Sequence, residues 1–477
     1  MKIRDALFIG IMLFSVDAYS QLESYSNYRK QMTNDFRSFR NGVINNYASF
    51  LDGVWERYDT YKPIKRDRVP KPVVLPNAEQ IPQSLQFTDI TPLDFKATPL
   101  VTVPVQKPNI TIVPPKGKTV DFIFGGKTLK GPQMSCVKLS TGDNKDIATV
   151  WRTYQKSNVK EIITILQRLS ISSELNDWFT FLMVQQYANA IVYNGNNSDK
   201  VVLQHFLLAN MGFDVRIARG ENQIYLLVPF KQQVYERSYM TINNQKYYIF
   251  NANNDKINDV KYLYSCVLPT DAYCGETLDL LYNCKEKIEY GEYKARCVSD
   301  GVIEVTISVN NTLMEMLRHY PQMDVPEYAR SSVDPILRNQ FLTQMANQIR
   351  GLSQEEAANK IIHFVQYAFD YATDEEQHGY EKTYFLEENF YYQQNDCEDR
   401  SIIYAYLIRE LLGLEVHLIK FPGHECTAVH FVDSRICGDG YVYKGKRFII
   451  CDPTYIGAKI GMCMPNYKNT KPIVELW

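Results

Sequence analysis

The stretch Asn395-Asp396-Cys397-Glu398-Asp399-Arg400-Ser401 decides how this chain is read. Behind it, Ile402 to Leu412 has helical character, and Gly413 closes the helix because glycine takes a left-handed helix end without steric cost. Asn395 or Asp396 suits the N-cap. Cys397 therefore stands at a helix N-terminus. Unpaired backbone N–H groups and the helix dipole favour a thiolate there and can stabilise an oxyanion. A structural cysteine more often sits on the apolar face deeper in a helix. Asp396, Glu398 and Asp399 oppose a thiolate electrostatically, so the reading requires a nearby His⁺ or Arg400 to offset them.

A thiol nucleophile needs a base, and the base needs an orienting acceptor. Leu414 to Phe421 reads as a strand and Pro422-Gly423 as a turn. His424 then opens a second strand that runs to Val432. After a glycine turn at Gly438-Asp439-Gly440, Tyr441–Tyr443 and Arg447 to Cys451 follow, ending at Asp452-Pro453-Thr454. Antiparallel neighbours bring the start of one strand beside the end of the next, so His424 and Asp452 are expected side by side, both facing the Cys397 helix. His430 shares a strand face with His424; His424 is preferred because it follows the turn, level with Asp452. His205, His319, His363, His378 and His417 are read as structural. A zinc site from Cys397, His424, Cys426 and Asp452 is the competing chemistry, with no Cys-x-x-Cys or His-x-x-x-His pair behind it.

Taken in order, residues 395–401 (NDCEDRS), 421–429 (FPGHECTAV) and 451–458 (CDPTYIGA) resemble the transglutaminase-like branch of the papain-like cysteine superfamily, in its exported bacterial type. The resemblance covers about Ser353 to Pro465. It implies an α+β fold with a papain/transglutaminase-like catalytic domain, in which a helix bearing the cysteine packs on an antiparallel sheet. It makes Cys397 the nucleophile, His424 the base and Asp452 its orienter. The sequence departs from the pattern at Cys426, where the family often has an aromatic residue. The implied reaction is acyl transfer through a Cys397 thioester. Hydrolysis of a peptide or isopeptide bond in a peptide or protein substrate is preferred to crosslinking, because nothing marks an amine-acceptor site or calcium loops. No cofactor or metal is required. The alternative is a non-catalytic peptide- or glycan-binding scaffold on the same fold.

A second stretch echoes the first. Asn197-Ser198-Asp199 to Gly212-Phe213-Asp214-Val215 parallels Cys397-Glu398-Asp399 to Gly413-Leu414-Glu415-Val416 with one gap, and Tyr239 to Asn251 parallels Tyr441 to Asp452 with another. In this alignment Asn197 replaces the cysteine, Asn251 replaces the aspartate and Asn222 falls near the histidine. Residues 119–285 are therefore expected to be an α+β domain, a degenerate transglutaminase-like repeat that packs against the active one.

The remaining segments set the context. Lys2 and Arg4, the apolar run Ala6 to Val16 and the small residues of Ala18-Tyr19-Ser20 read as a signal peptide over 1–20, implying a periplasmic or secreted protein with its mature start near Gln21. Apolar residues at three- and four-residue steps from Tyr25 to Val54 predict an amphipathic helix over 21–60. Eleven of the 21 prolines fall between Pro63 and Pro115, which predicts an extended strap over 61–118 with a solvated basic start at Lys62, Lys65, Arg66, Arg68 and Lys71. A β-containing connector is expected over 286–345 and the catalytic domain over 346–477. Ser353-Gln354-Glu355-Glu356 reads as a capping box. Cys266, Cys274, Cys284 and Cys297 are close enough in sequence for a local disulfide knot. The net charge of −2 lacks the basic face a dedicated nucleic-acid binder needs, and no segment after the first twenty is apolar enough to span a membrane.

Overall fold

Two glycines with left-handed backbones mark the same event twice. In the computed structural model, which describes residues 42, 44–67, 69–78, 93–94, 117–257, 260–268, 275–283 and 291–475, the helix Asn197–Met211 stops at Gly212 (φ 111°). The helix that begins at Cys397 stops at Gly413 (φ 64°). After each, the chain runs out as a strand and folds back. In the first unit Arg216–Arg219 pairs with Ile224–Val228, which pairs with Gln245–Phe250, which pairs with Tyr239–Ile242. In the second, Glu415–Phe421, His424–His430, Lys446–Cys451 and Gly440–Tyr443 pair in the same order.

One constant offset carries the paired residues of the first unit onto the second. Leu226 opposes Phe250 as Thr427 opposes Cys451, and Tyr239 opposes Tyr248 as Gly440 opposes Ile449. The expected gap after Tyr239 is thus absent: Tyr239 corresponds to Gly440, and Asn251 to Asp452. The same offset places Gln223, rather than Asn222, at the His424 position. The gap in the helix is real. The second helix carries one residue more before its glycine, and a π-turn at Ile408–Leu412 absorbs it.

The two units close differently. Trp55–Tyr61 and Tyr262–Cys266 complete the first sheet into a six-stranded barrel, around an apolar interior that includes Tyr225, Leu227, Met240 and Ile249. The second sheet stays open, extended by Ile473–Glu475 and a two-residue strand, Leu93–Asp94. Its helix-facing side, with Val429, Ile449 and Cys451, joins Ile402, Ile403 and Leu407 in the main core. Burying each of those three helix side chains contributes about 1.5–3 kcal/mol. Its other side has its own core of Ile419, Phe421, Cys426, Ala428, Tyr441, Phe448 and Ile450.

The mixed helix-and-sheet composition is as expected; the segment boundaries shift. The helix expected to reach residue 60 ends at residue 52, because Trp55–Tyr61 is needed as the barrel's closing strand. Residues 1–41 lie outside the described residues, and with them the signal-peptide reading and most of that helix. Of the strap expected over 61–118, Tyr61 ends the barrel strand, 62–67 and 69–78 have no regular structure beyond a bridge from Asn77 to Ile456, and Leu93–Asp94 form the two-residue strand. Ser353 and Glu356 form the reciprocal capping box, and the helix it opens, Gln354–Tyr367, stops at Tyr367. Cys266 and Cys297 are free thiols, while Cys274 and Cys284 lie outside the described residues. Among the described residues no helix is long and apolar enough to cross a membrane.

Candidate active site

His424 starts its strand directly after Pro422-Gly423, and Asp452 follows the last residue of the neighbouring strand. The antiparallel register brings them together: His424 Nε2 lies 2.8 Å from Asp452 Oδ2. The second carboxylate oxygen of Asp452 accepts from the Thr454 backbone N–H at 3.0 Å and from Thr454 Oγ1 at 2.7 Å. Asp452 thus caps its own turn with one oxygen and holds the imidazole with the other. Gln366 fixes the loop beyond, donating to the carbonyls of Tyr455 (2.8 Å) and Ala458 (3.0 Å). His430, at the far end of the strand, bonds the Arg447 carbonyl. Six residues of strand put it roughly 20 Å from His424.

Strand alternation corrects one expectation. His424 is the cross-strand partner of Phe421, so His424, Cys426 and Asp452 share the sheet face turned away from the body of the Cys397 helix. On that face Tyr467 stacks on the His424 ring at 5.3 Å and on Phe421 at 4.7 Å. The helix reaches this corner only with its N-terminus. The Glu425 backbone amide lies where it favours the Cys397 thiolate, and Ser401 Oγ ties the Cys397 and Glu425 carbonyls at 2.7 and 3.2 Å. Cys397 is thereby joined to the residue beside His424. Its own thiol hydrogen goes to Glu398 Oε2 at 3.3 Å.

The thiol is not the thiolate that a helix N-terminus alone favours. Burial pushes its pKa well above the usual range, and the Glu398 and Asp396 carboxylates push the same way, outweighing Lys71 and the Glu425 amide. Asp396 occupies the N-cap position, but its side chain caps nothing. Arg400, expected to offset the acids, points elsewhere: it donates to Asn395 Oδ1 and to the carbonyls of Gln366 and Phe369. Burial lowers its pKa to about 10.

The offset comes from the strap. Lys62 and Lys65 are exposed as expected and Arg68 lies outside the described residues, but Arg66 and Lys71 bury their side chains against the site. Lys71 Nζ lies 2.6 Å from Asp396 Oδ2, 2.6 Å from Glu398 Oε1, 2.7 Å from Glu381 Oε2 and 3.6 Å from Asp374 Oδ2. Arg66 bonds Glu398, Thr383 and Glu381. Burial favours neutral Lys71, yet Asp396, Glu398 and Asp374 hold its pKa well above the ordinary value. Burial likewise favours neutral Glu398, and Lys71 and Arg66 hold that carboxyl well below its usual range. Asp396 and Asp399 are pushed well up by burial and by their acidic neighbours, and Asp374 to about 7 by burial first. The strap's two cations thus pair with Glu398, with the acids whose pKa burial raises set around them.

Of the four residues in the zinc reading, His424, Cys426 and Asp452 bring ligand atoms within 4.8 Å of one another, whereas Cys397 groups with Asp396 and Glu398. Lys71, Arg66, Tyr467 and Gln366 had no signal in the sequence beyond the charge of the first two. Compared with known proteins, the chain matches no family model and no curated protein.

Proposed function

We propose that the chain is a thiol enzyme of the papain/transglutaminase-like kind, with Cys397 as nucleophile, His424 as base and Asp452 as orienter. The 2.8 Å bond between His424 and Asp452, one residue from the amide that favours the Cys397 thiolate, carries this reading. With Nε2 held by Asp452, Nδ1 is the nitrogen left to take the thiol proton. The sulfur then attacks the carbonyl carbon of an amide, and helix-start N–H groups stabilise the oxyanion. The C–N bond breaks, and the amine leaves with the proton from His424. Water, losing its proton to the same ring, hydrolyses the thioester and restores the thiol. The substrate is a peptide or protein, acted on outside the cytoplasm after removal of residues 1–20.

Incubating the reduced full chain with a thiol-directed acylating probe tests this. Cys397 should label, and His424→Ala should abolish the labelling. Labelling should be slow in the wild-type chain, because Cys397, His424 and Asp452 are only 2%, 4% and 2% exposed. A reduced protein that never labels at Cys397 favours the scaffold alternative. The convergence of His424, Cys426 and Asp452 favours a second reading, a metal centre. One zinc per chain, lost in Cys426→Ser, would replace the thiol mechanism with that reading.

A further inference from the structure

The strap behaves as a peptide lying along the site. Lys71 bonds the residues on either side of Cys397. Val69 and Pro70 lie against Gly423, where an added Cβ would come within 2.9 Å of Val69 Cγ1 and 3.0 Å of the Pro70 carbonyl. Tyr371 donates to the Pro72 carbonyl at 2.8 Å. Asn77 bridges to Ile456, beyond Asp452. One extended segment therefore touches the neighbourhood of all three candidate catalytic residues.

Beside Cys397 the hold is ionic, and the strap's apolar anchor lies further along, where Ala78 packs with Tyr455, Ala458 and Met464. Val69, Val73 and Val74 are 49%, 67% and 82% exposed, so the strap buries little hydrocarbon here. What anchors it here is the Lys71 ammonium, which has three N–H donors facing Asp374, Glu381, Asp396 and Glu398, together with Arg66 on Glu381 and Glu398. Even so, the pocket has an acceptor to spare: among the described residues, Asp374 Oδ1, on a fully buried side chain, has no hydrogen-bond partner. A buried acceptor without a donor is costly, so the pocket is built for more cationic hydrogen bonding than Lys71 supplies.

We propose that the pocket formed by Asp374, Glu381, Asp396 and Glu398 is the recognition site for a cationic side chain of the substrate, an alkylammonium or guanidinium, with Lys71 as its internal occupant. This rests on the thiol-enzyme reading above. A substrate bearing lysine or arginine displaces the strap, takes over the Glu398 and Asp396 contacts and presents its carbonyl to the sulfur those residues flank. The strap thereby both blocks the site and sets its selectivity.

The test uses the full chain and two alkylating reagents, a lysyl chloromethyl ketone and its norleucyl counterpart, which lacks the ammonium. In Lys71→Met, Cys397 should react about tenfold or more faster with the lysyl reagent, the scale of one charged hydrogen bond. Adding Glu398→Gln should bring the ratio towards one. The wild-type chain should show the same preference at lower rates, because Lys71 must leave first; its ratio decides the matter if Lys71→Met does not fold. Equal rates with both reagents, at a Cys397 that still requires His424, overturn the cation pocket and leave the thiol enzyme standing. No reaction of Cys397 with either reagent overturns both.

Discussion

The two helix-and-sheet units share strand order, register and closing glycine, yet one carries a thiol, an imidazole and a carboxylate where the other carries amides. Asn197 stands for Cys397, Gln223 for His424 and Asn251 for Asp452. The structural parts persist. Asp199 Oδ1 accepts from the Leu139 backbone at 2.8 Å, as Asp399 Oδ1 does from Tyr384. Asn251 Oδ1 accepts from Asn253 N–H at 3.0 Å, as Asp452 Oδ1 does from Thr454. The chemical parts do not. Gln223 Nε2 turns to Tyr225 Oη at 2.6 Å, and Asn197 is exposed where Cys397 is buried. The Ile224 amide, equivalent to that of Glu425, donates to Ser198 Oγ. The face bearing His424 and Asp452 is the one the first unit seals inside its barrel. In the open second sheet that face is covered by Tyr467 and not by a closing strand.

The largest effect should come from removing the Cys397 sulfur. Cys397→Ala should lose turnover and all His424-dependent acyl-probe labelling, leaving only the background of the exposed thiols Cys136, Cys297 and Cys437, while Asn197→Cys should gain neither turnover nor His424-dependent labelling, since position 197 has no imidazole opposite it. Turnover in Cys397→Ala, or His424-dependent labelling at position 197, would break the distinction between the units.

Asp452→Asn gives the second unit the first unit's residue. The amide oxygen can still accept from Thr454 as Asn251 does from Asn253, so the turn should hold and the melting temperature should change little. The amide NH₂ would then donate to His424 Nε2, forcing the proton onto Nδ1, the wrong tautomer for taking a proton from the thiol. Activity should fall on the order of 10⁴, taking the serine-protease precedent as a guide. Early melting with normal labelling would reduce Asp452 to a turn cap.

Two buried groups, one in each unit, should contribute to pH dependence in opposite senses. His205, buried against Tyr47 and Trp151 in the first unit, has its pKa lowered to about 3 by burial. Between about pH 3 and 6.5 the unfolded chain binds a proton that the folded one refuses, so acid destabilises this unit. Asp374 in the second unit is raised to about 7 by burial. Between about pH 4 and 7 the folded chain keeps a proton that the unfolded one releases, so rising pH destabilises that unit. Hydrogen exchange, corrected for intrinsic rates, reads the two contributions in the helices Asn197–Met211 and Cys397–Leu407, as the difference between wild type and a variant at each pH from 7.5 to 5. His205→Gln and Asp374→Asn should each flatten one response. Parallel changes in both helices would mean that the units open as one.

How much of this was legible follows from the range of the forces involved. The Cys397 helix start, the strand order and the pairing of His424 with Asp452 are local signals: a cap, a turn, an alternation, a closing glycine. The parallel strand order of the two units was legible too, with Asn222 near the His424 position that the register gives to Gln223, and with a gap after Tyr239 that the register removes. Lys71 and Arg66 were not legible as site residues, because their partners lie more than 300 positions away and a basic run in a proline-rich segment normally marks a solvated face. Nor was the protonated thiol. A helix N-terminus is read from sequence, but the burial that overrides it depends on a strap whose path the sequence does not specify.

The smallest effects should fall on Asn251, and they decide whether the first unit is inert. Its side chain accepts from the backbone N–H groups of Asn253 and Asp255 and donates to the Asp255 carboxylate at 3.1 Å. Asn251→Ala removes a turn cap at a half-buried site and should cost about 0.5–2 kcal/mol in urea unfolding. Asn251→Asp keeps the acceptor but sets two carboxylates side by side, a loss of no more than about 1 kcal/mol where water can screen them. Neither should alter the rate at which Cys397 labels, because position 251 touches neither the thiol nor the strap. If the labelling rate instead falls with Asn251→Ala while the folded fraction is unchanged, the first unit shapes the site at Cys397 and is a working half of it.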